Sequence, residues 1–109
     1  MTFARPASIL RPMPRPIRAT INAAALAHNL AFARRHAGPA KIWAVLKANA
    51  YGHGLLRAAR ALEGADGFAV LDFVEALRLR DAGIAKPILM LEGFFTPADI
   101  ELLARHRLT

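Results

Sequence analysis

From Lys41 onward, three short apolar runs alternate with three segments of helical spacing, and this alternation restricts the possible folds most strongly. Each run is continuously apolar, as in strands that are buried on both faces of a parallel sheet. Alternating strands and helices indicate a parallel sheet with right-handed crossovers. The runs read Ile42-Trp43-Ala44-Val45-Leu46, Phe68-Ala69-Val70-Leu71 and Ile88-Leu89-Met90-Leu91. We therefore predict an α/β fold with about three βα units.

Capping residues mark where the predicted helices begin and end. Short polar side chains at a helix N-terminus accept a hydrogen bond from a free backbone N–H, and glycine commonly follows the last helical residue. On the last helix, Glu101 and Arg105 have the spacing of an i,i+4 ion pair. Residues 17–21 predict one more short strand before the first helix. The predicted caps are Asn22, Asp72 and Thr96 at N-termini, and Gly38 and Gly83 at C-termini.

The length of the chain limits how much of a parallel barrel it can hold. It has 109 residues, whereas a complete (β/α)₈ barrel needs roughly 250. Three βα units would supply only the N-terminal part. Residues 1–16 contain four prolines and three arginines, which oppose regular helix and predict a disordered basic leader. Residues 17–109 then form the partial barrel domain.

Charge and cysteine content exclude several other classes of protein. The net charge is +7, and residues 1–62 carry ten basic side chains before Glu63, the first acid. A basic half can indicate nucleic-acid binding, but the charges are interspersed with apolar residues and show no such motif, so we predict no nucleic-acid partner. No apolar run reaches membrane-spanning length, so no membrane association is predicted. The chain has no cysteine, which excludes thiolate metal sites and fits a cytoplasmic location; no metal site is predicted.

Lys47 is the strongest candidate for a catalytic residue. It directly follows the first apolar run, and Tyr51 comes four residues later. In a parallel barrel, the loops that follow the strands build the active site. Desolvation disfavours an ammonium group, and a neutral lysine amine forms Schiff bases with aldehydes. Val45 shares a strand face with Lys47 and Leu91 ends the third run, so both could line a bound ring, although packing in a core explains them equally well.

The residues around Lys47 resemble the cofactor-lysine signature of the bacterial alanine racemases. The stretch reads Val45-Leu46-Lys47-Ala48-Asn49-Ala50-Tyr51-Gly52-His53-Gly54, and the match is continuous over the eight residues 47–54. Residues 21–30 resemble the family's opening strand and helix, and residues 75–91 resemble its next helix and strand. Members of this family are pyridoxal-phosphate (PLP) enzymes. The resemblance therefore implies the N-terminal part of a PLP-binding (β/α)₈ TIM-type barrel.

The resemblance also implies roles for individual residues. Lys47 would hold PLP as an internal aldimine and then act as the acid/base on one face of the substrate α-carbon. Tyr51 would bond the PLP phosphate, and Val45 and Leu91 would contact the cofactor. His53 would either support this site or position the loop. The implied activity is interconversion of L- and D-alanine in the cytoplasm, by a homodimer, which supplies D-alanine for peptidoglycan.

The chain departs from the family in two ways. Asn22 stands where the family usually carries Asp, and both residue types cap helices. The family's second base, a tyrosine of the C-terminal domain, and the arginine that bonds the pyridine nitrogen have no match in residues 1–109. We therefore expect an N-terminal fragment that is inactive alone. The alternatives are a racemase of broader amino-acid specificity and a non-catalytic PLP-binding fragment; a small PLP-carrier protein on the same barrel is disfavoured by the sequence of residues 47–51.

Overall fold

The structure is a computed structural model that describes residues 15–109, in which three parallel strands alternate with helices. The elements are α1 (Ala23–Ala37), β1 (Trp43–Val45), α2 (Lys47–Tyr51), α3 (Leu55–Ala61), β2 (Gly67–Val70), α4 (Phe73–Asp81), β3 (Ile88–Met90) and α5 (Pro97–Arg105). The three predicted βα units are confirmed, with strands shorter than the apolar runs that predicted them. The predicted disordered leader, residues 1–16, lies outside the described residues except for its last two, which are exposed.

The three strands pair in the order of the sequence, β1-β2-β3. Trp43 lies opposite Gly67 in the pair β1–β2, and Phe68 lies opposite Ile88 in the pair β2–β3. Leu108 forms a parallel bridge with Ile88 of β3, and the Thr109 N–H donates to the Ile88 carbonyl at 2.8 Å. The last residues therefore pair with β3 on the side away from β2. A sheet that grows in chain order with parallel strands is the arrangement from which a barrel is built.

The two faces of the sheet differ in burial. One face packs on helices, and its core contains Leu46, Phe68, Val70, Ile88 and Met90 together with apolar side chains of α3 and α4. The other face carries no helix among residues 15–109, and large apolar side chains on it are exposed: Trp43 by 42%, Val45 by 48% and Leu91 by 41%. Strand residues alternate between faces, so a barrel would enclose this second face.

The predicted N-terminal caps are confirmed. The Asn22 side chain accepts from the Ala25 N–H at 3.0 Å, and the Asp72 side chain accepts from the Glu75 N–H at 2.7 Å. Thr96 forms a reciprocal capping box with Asp99, in which each side chain accepts a backbone N–H of the other. Gly38 caps the C-terminus of α1, and Gly83 follows the cap of α4.

Two local predictions are wrong. Residues 17–21 form no strand, and Ile17 is 79% exposed; a strand needs a partner, and nothing in residues 15–109 pairs with this segment. Glu101 and Arg105 make no ion pair. Within the described chain the ion pair is Arg34–Asp66, at 2.7 Å. Exposed i,i+4 pairs have little net stability, so spacing alone does not secure them.

Arg34 and Asp66 join α1 to the sheet. Asp66 Oδ2 accepts from Arg34 Nη1 and from the Ile42 N–H, both at 2.7 Å, and Arg34 Nη2 donates to the Gly64 carbonyl at 2.6 Å. The Ile42 N–H bond, followed by the bond from Arg34, lowers the pKa of Asp66 below its ordinary value. The Asp66 carboxylate therefore links α1 to the residues that lead into β1 and β2.

Arg80 performs a similar role near the start of β3. Its guanidinium donates to four backbone carbonyls, those of Ile84, Lys86, His106 and Arg107, at 2.7–3.0 Å. Burial, with a smaller contribution from the charge of Arg107, lowers its pKa. These bonds hold the end of α5 beside the entrance to β3, which places the last residues of the chain for pairing.

Candidate active site

Lys47 lies at the carboxyl end of β1, two residues after Val45, and begins α2. Its side chain is half-buried. Within residues 15–109 its amine has no hydrogen bond or ion pair, so its reactive nitrogen is not occupied by a structural contact. Leu91 lies at the corresponding end of β3, where its N–H donates to the Val70 carbonyl at 2.9 Å. The carboxyl ends of parallel strands are where barrel active sites form.

The residues after Lys47 form a left-handed turn. Ala48, Asn49, Ala50 and Tyr51 have φ values of 53–55°. Left-handed backbone costs a residue with a Cβ roughly 1–2 kcal/mol, and asparagine tolerates it best among these residues. The turn is closed by the bond from the Ala50 N–H to the Leu46 carbonyl, at 2.9 Å. Four successive non-glycine residues in this conformation require support from the rest of the structure.

Asn49 receives that support from two helices. Its side-chain oxygen accepts from the Leu55 N–H, at the start of α3, and its own N–H donates to Glu75 Oε2 on α4; both distances are 2.8 Å. Its carbonyl accepts from the N–H groups of Gly52 and Gly54, at 3.1 Å each. These glycines have φ values of 93° and 97°, so they continue the turn in conformations that suit glycine.

His53 contacts the backbone of the same turn. Its Nδ1 lies 2.8 Å from the Ala50 carbonyl oxygen. Because this contact lies within the loop after Lys47, it favours a role for His53 in positioning the loop over a role in supporting the cofactor site.

Glu75 is the residue of this region that sequence reasoning missed. It is only 8% exposed and lies on α4 beside the fully buried Ala76. One carboxylate oxygen bonds Asn49, while Oε1 has no hydrogen-bond partner among residues 15–109. The available signal was the position of an acid on the apolar stripe of α4, four residues before Leu79, where an unpaired charge is costly.

The other predicted site residues lie at the same end of the sheet. Tyr51 ends the left-handed turn and is 71% exposed. Val45 pairs with Ala69, which in turn pairs with Leu89, and Leu91 follows two residues later, so Val45 and Leu91 share the helix-free face. Both are outside the buried core. The side chains at this end therefore offer an amine, a phenol and two apolar surfaces.

Three further observations concern the described residues, 15–109. Three cavities on the surface of this part of the chain are lined by neither Lys47 nor Tyr51, and the one of about 370 Å³ lies at the opposite end of the strands, beside Trp43 and Gly67. No cluster of three or more His, Cys, Asp or Glu side chains could hold a metal ion. None of the helices has the length and apolar character that crossing a membrane would require.

Sequence and structure comparisons agree on one family. Residues 21–109 match the model "Alanine racemase, N-terminal domain". The alanine racemase of Burkholderia mallei is 59% identical over 97 residues, covering 89% of this chain and 27% of that protein. The alanine racemase of Paraburkholderia phytofirmans is 60% identical over the same shares.

Solved structures give the same result. The biosynthetic alanine racemase of Pseudomonas aeruginosa superposes with a TM-score of 0.80 at 43% identity, covering 86% of this chain and 26% of that one. The alanine racemase of Acinetobacter baumannii gives a TM-score of 0.78 at 33% identity, covering 81% and 26%. The parallel strands, the lysine after β1 and the helices on one face define a segment of a (β/α)₈ barrel.

The chain belongs to the alanine racemase family, through its N-terminal domain. It spans about a quarter of the length of the relatives that it matches. The expected family and the expected fold are thereby confirmed.

Proposed function

We propose that this chain supplies the PLP-anchoring part of an alanine racemase, with Lys47 as its catalytic residue. The observation that carries the proposal is the position of Lys47, at the carboxyl end of a parallel strand and directly before a fixed left-handed turn, in a chain of this family. The relatives compared above are named alanine racemases. That name supports alanine as the substrate over the alternative of a broader amino-acid specificity.

The residues present fit a PLP group. A lysine amine without a structural partner can bind an aldehyde covalently, and the phenol of Tyr51 can donate to a phosphate. Val45 and Leu91 provide exposed apolar surface on the same sheet face, suited to an aromatic ring. PLP, when bound, delocalises the negative charge that remains after the α-proton of an amino acid is removed.

Lys47 would perform two tasks in this scheme. Its Nζ would hold the cofactor covalently and, when free, would remove the α-proton from one face of the α-carbon or, in the reverse direction, deliver a proton to that face. General acid–base transfer requires the amine to stay within hydrogen-bond reach of that proton, and the fixed turn after Lys47 limits its movement. Tyr51 would bond the phosphate and so hold the cofactor at a second point.

The whole protein to which this activity belongs would act as a cytoplasmic homodimer. It would supply D-alanine for the cell wall. A second proton carrier, on the opposite face of the α-carbon, would come from outside residues 1–109. The fragment alternative, a chain that binds PLP without catalysis, is not favoured, because the relatives compared above are named alanine racemases.

Reductive trapping tests the role of Lys47. The chain is mixed with PLP and treated with borohydride, and the pyridoxyl adduct is mapped by mass spectrometry. We expect the label on Lys47, with little on Lys41 or Lys86, because Lys47 alone has the turn and Tyr51 beside it. Lys47→Arg is the matched control, which keeps the charge and removes the site of attachment. An even distribution of label over the three lysines would contradict a preformed site.

A further inference from the structure

Glu75 is the buried charged side chain of the described residues, and its role is unexplained by the packing around it. It is 8% exposed, and its neighbours Ala76 and Leu79 on α4 are fully buried. A carboxylate in such surroundings is unfavourable unless hydrogen bonds compensate for the lost water. Within the part of the chain that the structure describes, Oε2 has a hydrogen-bond partner and Oε1 has none. A side chain retained at this cost has a specific contact to maintain.

That contact is the turn after Lys47. Glu75 Oε2 accepts from the Asn49 N–H at 2.8 Å, across 26 positions of sequence. Asn49 stands within the four left-handed residues, with Lys47 before them and Tyr51 at their end. The bond holds the Asn49 N–H in place, so it opposes the return of the turn to a right-handed conformation.

The position of the carboxylate is itself fixed. Asp72 caps α4 by accepting from the Glu75 N–H at 2.7 Å, and Leu79, one turn further along, is anchored in the core. The backbone of α4 is therefore fixed at Glu75 and, one helical turn later, at Leu79. The bond between Glu75 and Asn49 links the position of α4 to that of the left-handed turn.

We propose that Glu75 is a positioning residue of the cofactor site: by binding the Asn49 N–H it holds residues 48–51 left-handed and so sets the relative placement of Lys47 and Tyr51. Glu75 reaches neither of those side chains directly. The inference rests on the proposed function, because the ligand whose aldehyde and phosphate these two side chains would hold is PLP. It adds a residue of α4 to a site otherwise drawn from the loop after β1.

Three variants separate positioning from a purely structural role. Glu75→Met removes the acceptor and keeps an apolar side chain of similar length, a replacement that often preserves stability when the lost group is a buried charge. Glu75→Gln keeps an oxygen that can accept from Asn49. Asp72→Ala removes the cap of α4 and leaves the Glu75 carboxylate in place.

Two readouts are measured on the 109-residue chain. The first is hydrogen–deuterium exchange of residues 47–54 without ligand, and the second is the share of pyridoxyl label on Lys47 relative to Lys41 and Lys86. With Glu75→Met, we expect at least tenfold faster exchange in the turn and a label on Lys47 no higher than on the other two lysines. With Glu75→Gln, we expect the slow exchange and the selective label on Lys47 of the unsubstituted chain. With Asp72→Ala, we expect a lower thermal midpoint and a label that stays on Lys47.

Other outcomes overturn the inference. If Glu75→Met keeps slow exchange and selective labelling, the turn does not depend on Glu75, and the proposed function stands without it. If Glu75→Met and Asp72→Ala lose both readouts equally, Glu75 is merely structural. If the unsubstituted chain labels its three lysines evenly, the proposed function fails, and Glu75 then positions no cofactor site even where it orders the turn.

Discussion

At the scale of single residues, hydrogen bonds of Asn49 and His53 fix the loop after β1. Asn49 bonds the start of α3 and the buried acid of α4, and His53 contacts the Ala50 carbonyl. Tyr51 differs, because it ends the turn and is 71% exposed. A side chain that contributes so little to packing is free to bind a ligand, and its removal should affect binding more than folding.

Tyr51→Phe tests this expectation. Loss of a hydrogen bond to a charged phosphate costs about 1.5–3 kcal/mol, so we expect the dissociation constant of PLP to rise roughly tenfold to a hundredfold. The thermal midpoint should stay unchanged, since the hydroxyl is exposed. Absorbance titration with PLP measures the first quantity and circular dichroism the second. Unchanged PLP affinity in the variant would exclude Tyr51 as a phosphate ligand.

Gly67 shows a close approach between neighbouring strands. A Cβ built on it would lie 2.5 Å from Trp43 Cζ3 and 2.9 Å from the Pro87 carbonyl oxygen. Because Trp43 is its partner in β1, only glycine lets the indole lie across the sheet at this point.

We therefore expect Gly67→Ala to lower the free energy of unfolding by about 1–3 kcal/mol, as for overpacked sites. Urea unfolding measures the change. Gly64→Ala is the control, because its added Cβ would meet Leu30 Cδ2 at 3.4 Å, an ordinary contact. Equal effects of the two substitutions would show that the Trp43 contact is not responsible.

At the scale of elements, one carboxylate connects α1 to the sheet. Asp66 accepts from Arg34 and from the Ile42 N–H, and its side chain is 36% exposed. These bonds favour the ionised form, which lowers the pKa of Asp66 below its ordinary value of 3.8. A group whose folded pKa is depressed stabilises the fold fully above its unfolded pKa, and this contribution is lost as the pH falls through the folded pKa.

The pH dependence of unfolding follows from that sign. We expect Asp66 to make no pH-dependent contribution to the free energy of unfolding above about pH 5, and we expect that free energy to decrease as the pH falls below the ordinary pKa of 3.8. Asp66→Asn should reduce this slope. Asp99, whose pKa is lowered chiefly by the Phe95 N–H and then by Thr96, keeps part of the slope in the variant. Identical acid profiles for the two proteins would contradict a role for Asp66.

At the scale of the whole molecule, the sheet has a covered face and an open one. Helices pack over the first, while Trp43, Val45 and Leu91 are 41–48% exposed on the second within the described chain. In a complete barrel that second face is the packed interior. A cofactor held by Lys47 would stand at the rim of this interior, and water would reach it freely.

We expect the 109-residue chain with PLP and L-alanine to form D-alanine no faster than free PLP. Racemisation requires a proton carrier on each face of the α-carbon. Of the family's two proton carriers, residues 1–109 have a match only for the lysine, which is Lys47. Loss of one acid–base partner typically costs 10²–10⁴-fold in rate, and open access of water weakens the remaining electrostatic stabilisation. A coupled D-amino-acid oxidase assay measures the product, with Lys47→Ala as control. Turnover above free PLP that Lys47→Ala abolishes would show that the chain is sufficient.

The sequence alone was enough to predict the three βα units, their helix caps and the family. Continuous apolar runs of this length are typical of strands in a parallel sheet that is covered on both faces, and a cap is a bond between a side chain and backbone three residues away, such as Asn22 with Ala25. Both signals are local. The signature at residues 47–54 indicated Lys47 and Tyr51 for the same reason, since their residues are contiguous; their roles remain predictions.

Tertiary structure decided what depends on distant partners. The left-handed turn of residues 48–51 is locally unfavourable, and no propensity predicts it, because a carboxylate 26 residues away supports it. Residues 17–21 have the composition of a strand but lack a partner within the described chain, and a strand exists only through pairing. The sequence shows Glu75 only as an acid on the apolar stripe of a predicted helix, and the packing of α4 against the loop showed it buried and bonded to Asn49.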